Sequence, residues 1–419
     1  MLRFVYNALL HLALPLLPVR LWWRGRSEPG YRTHVGERFG AYAERPERPV
    51  IWVHGVSVGE TRAAQPLVEA LAGRFPDHAL LLTTMTATGR ATAESLYADR
   101  ATIAFLPYDY PWAVRRFLAH FRPRLGVIME TEIWPNLVRG ARQRGVPMVL
   151  ANARMSPKSA RGYSRVAALA REALADIAAI GAQSEADAER LRDLGAQSVE
   201  VTGNHKFDIT PPPEMHERAR ALRTLWGERP VFLAASTREG EEELLLDALA
   251  RRAINGLLTV IVPRHPQRFA EVAALLTRRG HSFVRRSAEA PVPPDCPFAL
   301  GDTMGEMFAY YGAADVAWVG GSLLPYGAQN LIEACAMGTP VIIGPSTYNF
   351  AQATELAIDA GAAVQAANAD GVIAEVARLV ADPAARRRMG EAGLAFTVAH
   401  QGATARTMRI VERLAGAKD

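Results

Sequence analysis

Apolar runs of five to seven residues recur along the first half of the chain, each followed by a polar segment. The runs are nearly continuous rather than alternating, which is typical of parallel strands covered on both faces. Between them lie stretches of helical length and period, such as residues 111–123. The candidate strands are 50–55, 79–85, 102–107, 125–130, 147–153, 179–184 and 199–203. This alternation predicts a doubly wound α/β domain.

A proline cluster at 211–213 interrupts the pattern and indicates a linker over 209–213. A second series of apolar runs follows it. Its candidate strands are 231–236, 257–263, 282–286, 315–321 and 340–345. We therefore predict a second Rossmann-like lobe, and a ligand-binding cleft between the carboxyl ends of the strands of the two lobes.

The predicted organisation has five parts along the chain. Residues 394–416 have a helical pattern, so the C-terminal segment is expected to pack back on the N-terminal lobe. The parts are an N-terminal membrane anchor at 1–26, an N-terminal lobe at 27–208, the linker at 209–213, a C-terminal lobe at 214–393 and a C-terminal helical segment at 394–419.

The N-terminal segment is apolar between Arg3 and Arg20, but its sixteen intervening residues fall short of a straight spanning helix. Trp22 and Trp23 are followed by arginines, as in an interfacial belt on the cytoplasmic side of a membrane. We expect an anchor that spans or half-enters the bilayer. A cleaved signal peptide and a buried core helix are the alternatives. The basic residues expected to face anionic lipid head groups are Arg20, Arg24, Arg26, Arg32 and Arg38.

Composition narrows the class of protein. The hydrophobic content of 49% and the charged content of 22% are ordinary for a globular chain. The two cysteines, Cys296 and Cys335, are far apart, so a disulfide framework or a zinc cluster is not predicted. The net charge of +5 favours anionic partners, either a membrane surface or a phosphorylated ligand. We find no motif for binding nucleic acid.

Polar, glycine-bearing loops follow the predicted strands in both lobes, and the carboxyl ends of parallel strands meet at one edge of a sheet. A single loop of this kind can be an inert turn, but so many on one edge indicate a binding site. In the first lobe they cover 54–60, 83–90, 130–132, 152–154 and 203–206; in the second they cover 236–240, 263–266, 320–322 and 344–345.

Glu60 lies where a phosphate-binding loop would place its anion, after a strand and at the start of a helix. The helix dipole favours the ionised form of such a carboxylate by about 0.3–1 kcal/mol, so we predict a charged group at neutral pH. That charge excludes a phosphate and makes Glu60 a candidate general base. The alternative is that Glu60 only stabilises the helix.

Glu130 and Glu132 flank Thr131 on the same predicted edge. At the spacing of a strand both side chains would share one face, where they could bind sugar hydroxyls. The alternative is a solvated turn.

The second lobe has the opposite character. A Gly320-Gly321-Ser322 turn precedes a helix predicted to begin near 328–330, and its backbone amides and serine hydroxyl suit a phosphate. Glu333 is one turn further along and could accept hydrogen bonds from ribose. Arg238 and Arg264 on neighbouring loops could each bind an anion at two points. We therefore predict that the second lobe binds an activated, anionic sugar donor and that the first deprotonates an acceptor.

The order of these segments resembles the 3-deoxy-D-manno-octulosonic acid (Kdo) transferases of Gram-negative lipopolysaccharide synthesis. The resemblance covers nearly the whole chain. The motifs that carry it are HGVSVGE, TTMTATGR, LPYDYPWAVRRFL, METEIWPNL, NARMSPKSARGYSR, GNHKFD, STREGEEE, VPRHPQRF, LGDTMGEM and GGSLLPYGAQNLIEA with GTPVIIGP.

This resemblance implies a GT-B fold and an inverting transfer of Kdo from CMP-Kdo to the tetraacyl lipid A precursor (lipid IVA), without a metal ion or other cofactor. It also implies an enzyme at the cytoplasmic face of the bacterial inner membrane. The absence of an Asp-x-Asp pair after a strand in a metal-like setting agrees with metal independence. The partners implied are CMP-Kdo, the lipid acceptor and the membrane surface, with no nucleic acid.

The resemblance also implies residue roles, with Glu60 as the catalytic base. The predicted substrate-binding residues are Ser57, Gly59, Arg90, Glu130, Glu132 and Lys206. The predicted nucleotide-binding residues are Ser236, Arg238, Pro263, Arg264, Gly321, Ser322, Asn330 and Glu333. The chain departs from the family's frequent Gly-Gly-His-Asn at 327–330, where it reads Gly-Ala-Gln-Asn. Gln329 could donate a hydrogen bond there but cannot carry charge.

Three other functions fit parts of this pattern. An enzyme of the same architecture that uses a UDP-sugar is the nearest, and CMP or UDP binding would separate the two. A two-lobed solute-binding protein would need an export signal and no base. A membrane-surface scaffold would not need the ordered set of polar loops.

Overall fold

The computed structural model describes residues 2–43 and 45–416. Met1, the first residue of the predicted anchor, and 417–419, the end of the predicted C-terminal segment, lie outside the described residues, as does Glu44. The chain forms two compact units: Met1–Asp208 with Gln401–Asp419, and Ile209–His400.

The first unit contains a seven-stranded sheet in which every neighbouring pair is parallel, in the order β3-β2-β1-β4-β5-β6-β7. Its strands are β1 Val50–His54, β2 Ala79–Thr84, β3 Ala101–Phe105, β4 Pro123–Met129, β5 Met148–Ala153, β6 Ala179–Ala182 and β7 Val199–Val201. Its helices are α1 Leu2–Ala13, α2 Leu16–Arg24, α3 Val58–Ala63, α4 Gln65–Arg74, α5 Ala87–Tyr97, α6 Pro111–Phe121, α7 Pro135–Gln143, α8 Pro157–Ser164, α9 Ala167–Ala175 and α10 Glu185–Asp193.

Side chains alternate between the two faces of this sheet, and both faces are buried. Trp52 on β1 packs with Phe117 of α6 and Leu137 of α7 on one side. Ile51 and Val53, its neighbours along the strand, belong to the cluster on the other side. Burial on both faces explains why the strands appear as unbroken apolar runs.

The strand order reverses between β1 and β4, which are neighbours although the chain adds β2 and β3 between them. Connections from β1 and from β4 therefore leave in opposite directions, which opens a crevice at the carboxyl ends of these two strands. The first turn of α3, which follows β1, carries Glu60, and the loop after β4 carries Glu130 and Glu132.

The second unit contains another parallel seven-stranded sheet, in the order β10-β11-β9-β8-β12-β13-β14. Its strands are β8 Val231–Thr237, β9 Leu258–Pro263, β10 Phe283–Arg285, β11 Phe298–Leu300, β12 Val316–Val319, β13 Val341–Ile343 and β14 Ala363–Gln365. Its helices are α11 Pro213–Trp226, α12 Glu241–Arg251, α13 Phe269–Arg278, α14 Met307–Ala313, α15 Ile332–Ala336, α16 Ala351–Asp359, α17 Ala369–Ala381 and α18 Pro383–His400. Here the order reverses between β8 and β12.

The predicted α/β class is confirmed, and every predicted strand is present. β11 and β14, which have three residues each, were not predicted. β7, β10 and β13 are equally short, but β11 and β14 lie among alanine, proline and glycine residues that obscure a short apolar run.

The predicted helix over 394–416 is two helices. α18 ends at His400, and α19 Ala403–Gly416 begins after Gly402, whose φ of 95° favours glycine. The carboxylate of Asp208 accepts hydrogen bonds from the first amides of α19, those of Gly402, Ala403 and Thr404. α19 then packs its apolar face into the first unit, where Ile410 and Val411 are fully buried.

The N-terminal segment forms α1 and α2, which meet at a bend of 58°. Among the described residues, no single helix has the length and apolar character to cross a bilayer, although the bent pair together meets that test by length and composition. Of the five arginines predicted to face lipid, Arg38 does not. It is 1% exposed, donates to the carbonyl of Met85 and stacks on Phe105.

Candidate functional site

Glu60 is held by the loop that joins β1 to α3. Ser57 caps α3: its hydroxyl accepts from the Glu60 amide and donates to Glu60 Oε1 at 2.9 Å. The other carboxylate oxygen accepts from the Val56 amide at 2.7 Å. This reciprocal arrangement is a variant of the capping box. The helix-stabilising role is therefore present, and it fixes the carboxylate in one orientation.

The loop also packs against the start of α5. Thr86 donates its hydroxyl to the Val56 carbonyl at 3.1 Å and accepts from the Gly89 amide at 3.0 Å. A Cβ at Gly89 would lie 2.7 Å from Thr86 Oγ1 and 3.1 Å from that carbonyl, so a larger residue would push these groups apart. Gly59 is exposed on the first turn of α3.

The expectation that Glu60 is fully ionised at neutral pH is wrong. Burial raises its pKa to about 7; the hydrogen bonds from Val56 and Ser57 oppose this effect, while the charges of Glu130 and Glu132 add to it. Desolvation outweighs the favourable helix end because α3 has only six residues and the carboxylate lies beside other acids. A pKa near 7 is close to the value that serves a general base best.

Glu130 and Glu132 do lie near Glu60, but not as neighbours along a strand. β4 ends at Met129, and Glu130 has a left-handed backbone with φ 59°. The next residues form a turn in which Thr131 bonds to the carbonyl of Arg154. Burial and the charge of Glu130 raise the pKa of Glu132. Three half-buried carboxylates therefore share one end of the sheet, as expected for a site that binds hydroxyl groups.

Arg90, predicted to bind substrate, is engaged by groups of its own unit. Its guanidinium forms ion pairs with Glu37 at 2.6 Å and Glu94 at 2.7 Å, and donates to the Ile103 carbonyl. With 8% of the residue exposed, it supports α5 from within the unit.

A buried polar network behind the strand ends was not predicted. Asn152, with φ 55°, accepts from the His205 amide at 3.1 Å through its side chain and from Gln183 at 2.9 Å through its carbonyl. Asn204 donates to Gln183 and accepts from the Lys206 amide. The network fixes the loop that presents Lys206, which is half-buried. The signal in the sequence for this network was a polar residue near the end of β5, β6 and β7, namely Asn152, Gln183 and Asn204.

In the second unit, the predicted phosphate cradle is occupied by a side chain of the protein. Glu241 is fully buried, and its carboxylate accepts from the amides of Gly321 at 2.7 Å and Leu323 at 3.0 Å. It also accepts from the Arg238 amide at 2.8 Å. Within the Gly-Gly-Ser turn, the Gly321 amide is thus paired with a carboxylate 80 residues earlier in the sequence, and the Gly320 amide donates to the Ala235 carbonyl at 2.8 Å, so neither amide is directed at a phosphate.

Ser322 is likewise committed to the interior. Its hydroxyl donates to the Val319 carbonyl and accepts from the Gly344 amide at 2.9 Å and the Trp318 indole at 3.1 Å. Gly320 allows this turn to approach β8, because a Cβ there would lie 2.6 Å from the Ser236 carbonyl. The turn therefore locks β12 to β8.

Positive charge gathers instead on the loops after β8 and β9. The guanidinium of Arg238 lies 4.5 Å from the ring centre of Tyr326. Arg264 Nε donates to Gln329 Oε1 at 3.0 Å. Burial and the charges of Arg238, Arg264 and Arg268 lower the pKa of His265, which keeps that ring neutral. This cluster of arginines is suited to bind a phosphate or a carboxylate.

The remaining predicted nucleotide residues lie at strand ends or at the start of α15. Ser236 has φ 55° and is half-buried, and Pro263 is the buried last residue of β9. Asn330 accepts from the Ile332 amide at 3.1 Å and donates to Glu333 at 3.1 Å. The helix starts at Ile332, later than predicted, and has only five residues.

Metal ligands do not assemble in the part of the chain that the structure describes, where no group of three or more His, Cys, Asp or Glu side chains could hold an ion.

Two doubly wound units, each with polar loops at its strand reversal, define the GT-B class of glycosyltransferase architecture. A glycosyltransferase structure from Rickettsia africae has this fold, with a TM-score of 0.58 and 12% identity over 88% of this chain and 99% of that one.

Sequence comparison identifies the family. Residues 33–209 match the family model described as 3-deoxy-D-manno-octulosonic-acid transferase (kdotransferase). The 3-deoxy-D-manno-octulosonic acid transferase of Bordetella pertussis is 46% identical over 98% of this chain and 99% of its own length. The one from Haemophilus influenzae is 36% identical over 98% of both. The chain belongs to the 3-deoxy-D-manno-octulosonic acid transferase family and is a glycosyltransferase.

Proposed function

We propose that this enzyme transfers Kdo from CMP-Kdo to a lipid A precursor, lipid IVA, in lipopolysaccharide synthesis, with inversion at the anomeric carbon. The observation that carries the proposal is Glu60, a half-buried carboxylate with a pKa of about 7 beside Glu130 and Glu132. Membership of the family supplies the transferred sugar.

In the proposed reaction Glu60 acts as general base. It takes the proton of a primary hydroxyl on the glucosamine disaccharide while that oxygen forms a bond to the anomeric carbon of Kdo. The bond from that carbon to the phosphate oxygen of CMP breaks, and CMP leaves with the electron pair. Ser57 and Val56, which donate to Glu60, hold its oxygens in place. Glu130 and Glu132 would accept hydrogen bonds from other hydroxyls of the acceptor.

The first unit thus supplies the base and the acceptor contacts, and the second binds the nucleotide. Arg238 and Arg264 would neutralise the phosphate and the Kdo carboxylate. Gln329 accepts from Arg264 and so limits the rotation of its guanidinium. Asn330 and Glu333 remain proposed contacts for the CMP portion, as does Lys206 for the acceptor side. Ser322 and Gly321 are withdrawn from direct contact with phosphate, because Glu241 and the interior use their hydrogen bonds.

The outward face of the N-terminal helices is proposed to rest on the inner membrane at its cytoplasmic face. Its exposed apolar side chains are Leu2, Phe4, Val5, Leu9, Leu12, Leu16, Val19, Trp22 and Trp23. Arg26 stacks on Trp22 with 4.2 Å between the guanidinium carbon and the ring centre, which places a cation beside an interfacial aromatic residue. This contact keeps the enzyme at the surface where the acyl chains of its acceptor are buried.

The direct test is product analysis by mass spectrometry after incubation with CMP-Kdo and lipid IVA. A mass increase of one or more Kdo units is expected, and no increase would contradict the proposal. Thermal unfolding with CMP and with UDP separates the rival UDP-sugar enzyme, because only a nucleotide that binds stabilises the fold. A shift with UDP alone would favour the rival.

A further inference from the structure

Helix α1 is amphipathic in the reverse of the usual sense. In a helix on the surface of a globular protein the apolar stripe faces inward and the polar residues face water. Here Arg3, Tyr6 and Asn7 face the body of the first unit, while the opposite side exposes Phe4 by 78% and Leu12 by 75%. Specific polar contacts therefore hold α1 to the fold.

The inward contacts converge on the start of α7. Tyr6 donates its hydroxyl to Asp109 Oδ2 at 2.9 Å, and Asn7 Oδ1 accepts from the side chain of Asn136 at 2.7 Å. Arg3 donates to the carbonyl of Pro135 at 3.2 Å. The three contacts follow the polar face of α1 and reach Pro135, Asn136 and Asp109, the acid that accepts from the Asn136 amide.

Asp109 is the centre of this arrangement. It is 2% exposed, and its carboxylate accepts from the amides of Asn136 at 2.9 Å and Leu137 at 2.8 Å, the first turn of α7. The Asp109 carbonyl accepts from the Asn136 side chain at 2.6 Å. Tyr6 and Asn7 thus bind the same pair of residues that fixes where α7 begins.

The start of α7 is also the end of the loop that carries Glu130 and Glu132. Only 133 and 134 separate Glu132 from Pro135. At its other end this loop is held by the Glu130 amide, which donates to Ala151 at 2.9 Å. Between the ends, the Thr131 carbonyl accepts from Tyr163 at 3.3 Å. The α1 contacts therefore brace one of the two ends of the proposed acceptor-binding loop.

We propose that Tyr6 and Asn7 are positioning residues for acceptor binding: through Asp109 and Asn136 they fix the loop 130–136, so that α1 orders the acceptor site as well as touching the membrane. This inference rests on the proposed function for the identity of the acceptor. In this proposal the outer face of α1 contacts lipid, and its inner face fixes the loop that binds a lipid-linked substrate.

The test uses the full-length enzyme in neutral detergent micelles, with Tyr6→Phe, Asn7→Ala and the double variant. The KM for lipid IVA is expected to rise about 2–10-fold for each lost hydrogen bond. The KM for CMP-Kdo and kcat are expected to stay within twofold, because the base and the nucleotide site are not changed. Hydrogen exchange at the amides of Asn136 and Leu137 should be faster in the variants.

Leu9→Ala and Leu12→Ala are the matched controls, since they lie on the outward face of the same helix. They should lower binding to anionic vesicles and leave the KM for lipid IVA in micelles and the exchange of 136–137 unchanged. An unchanged acceptor KM with unchanged exchange in the Tyr6 and Asn7 variants would overturn the inference. A fall in kcat together with a rise in the KM for both substrates would also overturn it, because that pattern would indicate general unfolding. If the wild type transfers no Kdo, the proposed function fails, and the exchange rates alone decide whether α1 fixes the loop.

Discussion

Both units place a glutamate just after their first strand, at the point where the strand order reverses, yet the two side chains are used in opposite ways. Glu241 is fully buried and accepts hydrogen bonds from three backbone amides, those of Arg238, Gly321 and Leu323. Glu60 is half-buried, accepts from one amide and one hydroxyl, and has two other carboxylates nearby.

The number of hydrogen bonds that each carboxylate accepts from the protein distinguishes a structural carboxylate from a candidate base. A general base needs a carboxylate oxygen that a substrate can reach. Both oxygens of Glu241 are buried and already accept hydrogen bonds from backbone amides. Glu60 keeps a half-exposed carboxylate whose pKa of about 7 lets it exchange a proton near neutral pH. The same residue type at the same place in the topology thus supports the fold in one unit and is the proposed base in the other.

The largest expected effect comes from Glu60→Gln. Transfer should fall by about 10²–10⁴-fold because the general base is lost, while CMP-Kdo still binds. In the wild type, kcat should rise with pH through about 7 as Glu60 ionises, and this dependence should vanish in the variant. Steady-state kinetics between pH 5.5 and 8.5 measure both. Glu69→Gln, on an exposed face of α4, is the control. Near-normal turnover of Glu60→Gln would remove Glu60 from the mechanism.

Arg264→Ala tests the cationic side of the comparison. A charge-assisted hydrogen bond contributes roughly 1.5–3 kcal/mol, so the affinity for CMP should fall by about 10–100-fold. Calorimetric titration gives the affinity, and Arg278→Ala on the exposed side of α13 is the matched control. Equal affinities for the Arg264 variant and the wild type would show that nucleotide binding is located elsewhere.

Glu241→Ala should lower stability rather than remove the base. The buried amides of Gly321 and Leu323 lose their acceptor, which costs about 1–3 kcal/mol. Chemical unfolding of the variant against Glu243→Ala, an exposed neighbour on α12, measures the difference. Equal free energies of unfolding for Glu241→Ala and its control would contradict this prediction. They would show that the turn does not depend on the Glu241 carboxylate for its stability.

The smallest effect concerns the stability of the first unit. Because the pKa of Glu60 is raised from 4.5 to about 7, the folded state holds its proton more tightly than the unfolded state. Ionised Glu60 therefore destabilises the fold increasingly from pH 4.5 to 7 and by a constant amount above that. Glu60→Gln should have a melting temperature a few degrees above wild type at pH 8 and close to it at pH 5. A difference that does not change with pH would contradict the raised pKa.

Much of the fold follows from local pattern. Strands buried on both faces need uninterrupted apolar residues, and helices between them keep a period near 3.6, so the two parallel sheets could be predicted from the chain. The position of polar loops at the strand ends also follows from topology, which is why Glu60, Glu130, Arg238 and Arg264 could be located near the strand ends in advance, while their roles in binding and catalysis stay predictions.

What could not be predicted depends on partners distant in sequence. The amides of Gly321 and Leu323 look like an anion site until Glu241 is seen to accept from them. The three acidic residues at 241–243 were a signal, because Glu241 and Glu242 are both buried and only Glu243 is exposed. The state of Glu60 was misjudged because a helix end was considered without burial, and desolvation was the larger contribution.

The left-handed backbone of Glu130 has an evolutionary consequence. With φ 59°, this position is one where glycine would relieve about 1–2 kcal/mol of conformational cost. Selection for heat resistance alone would favour glycine at this position, whereas selection that also requires the transfer reaction would keep the acid for its proposed contact with the acceptor. Thermostabilised descendants of this enzyme should therefore gain their stability elsewhere and retain a costly residue at the end of β4.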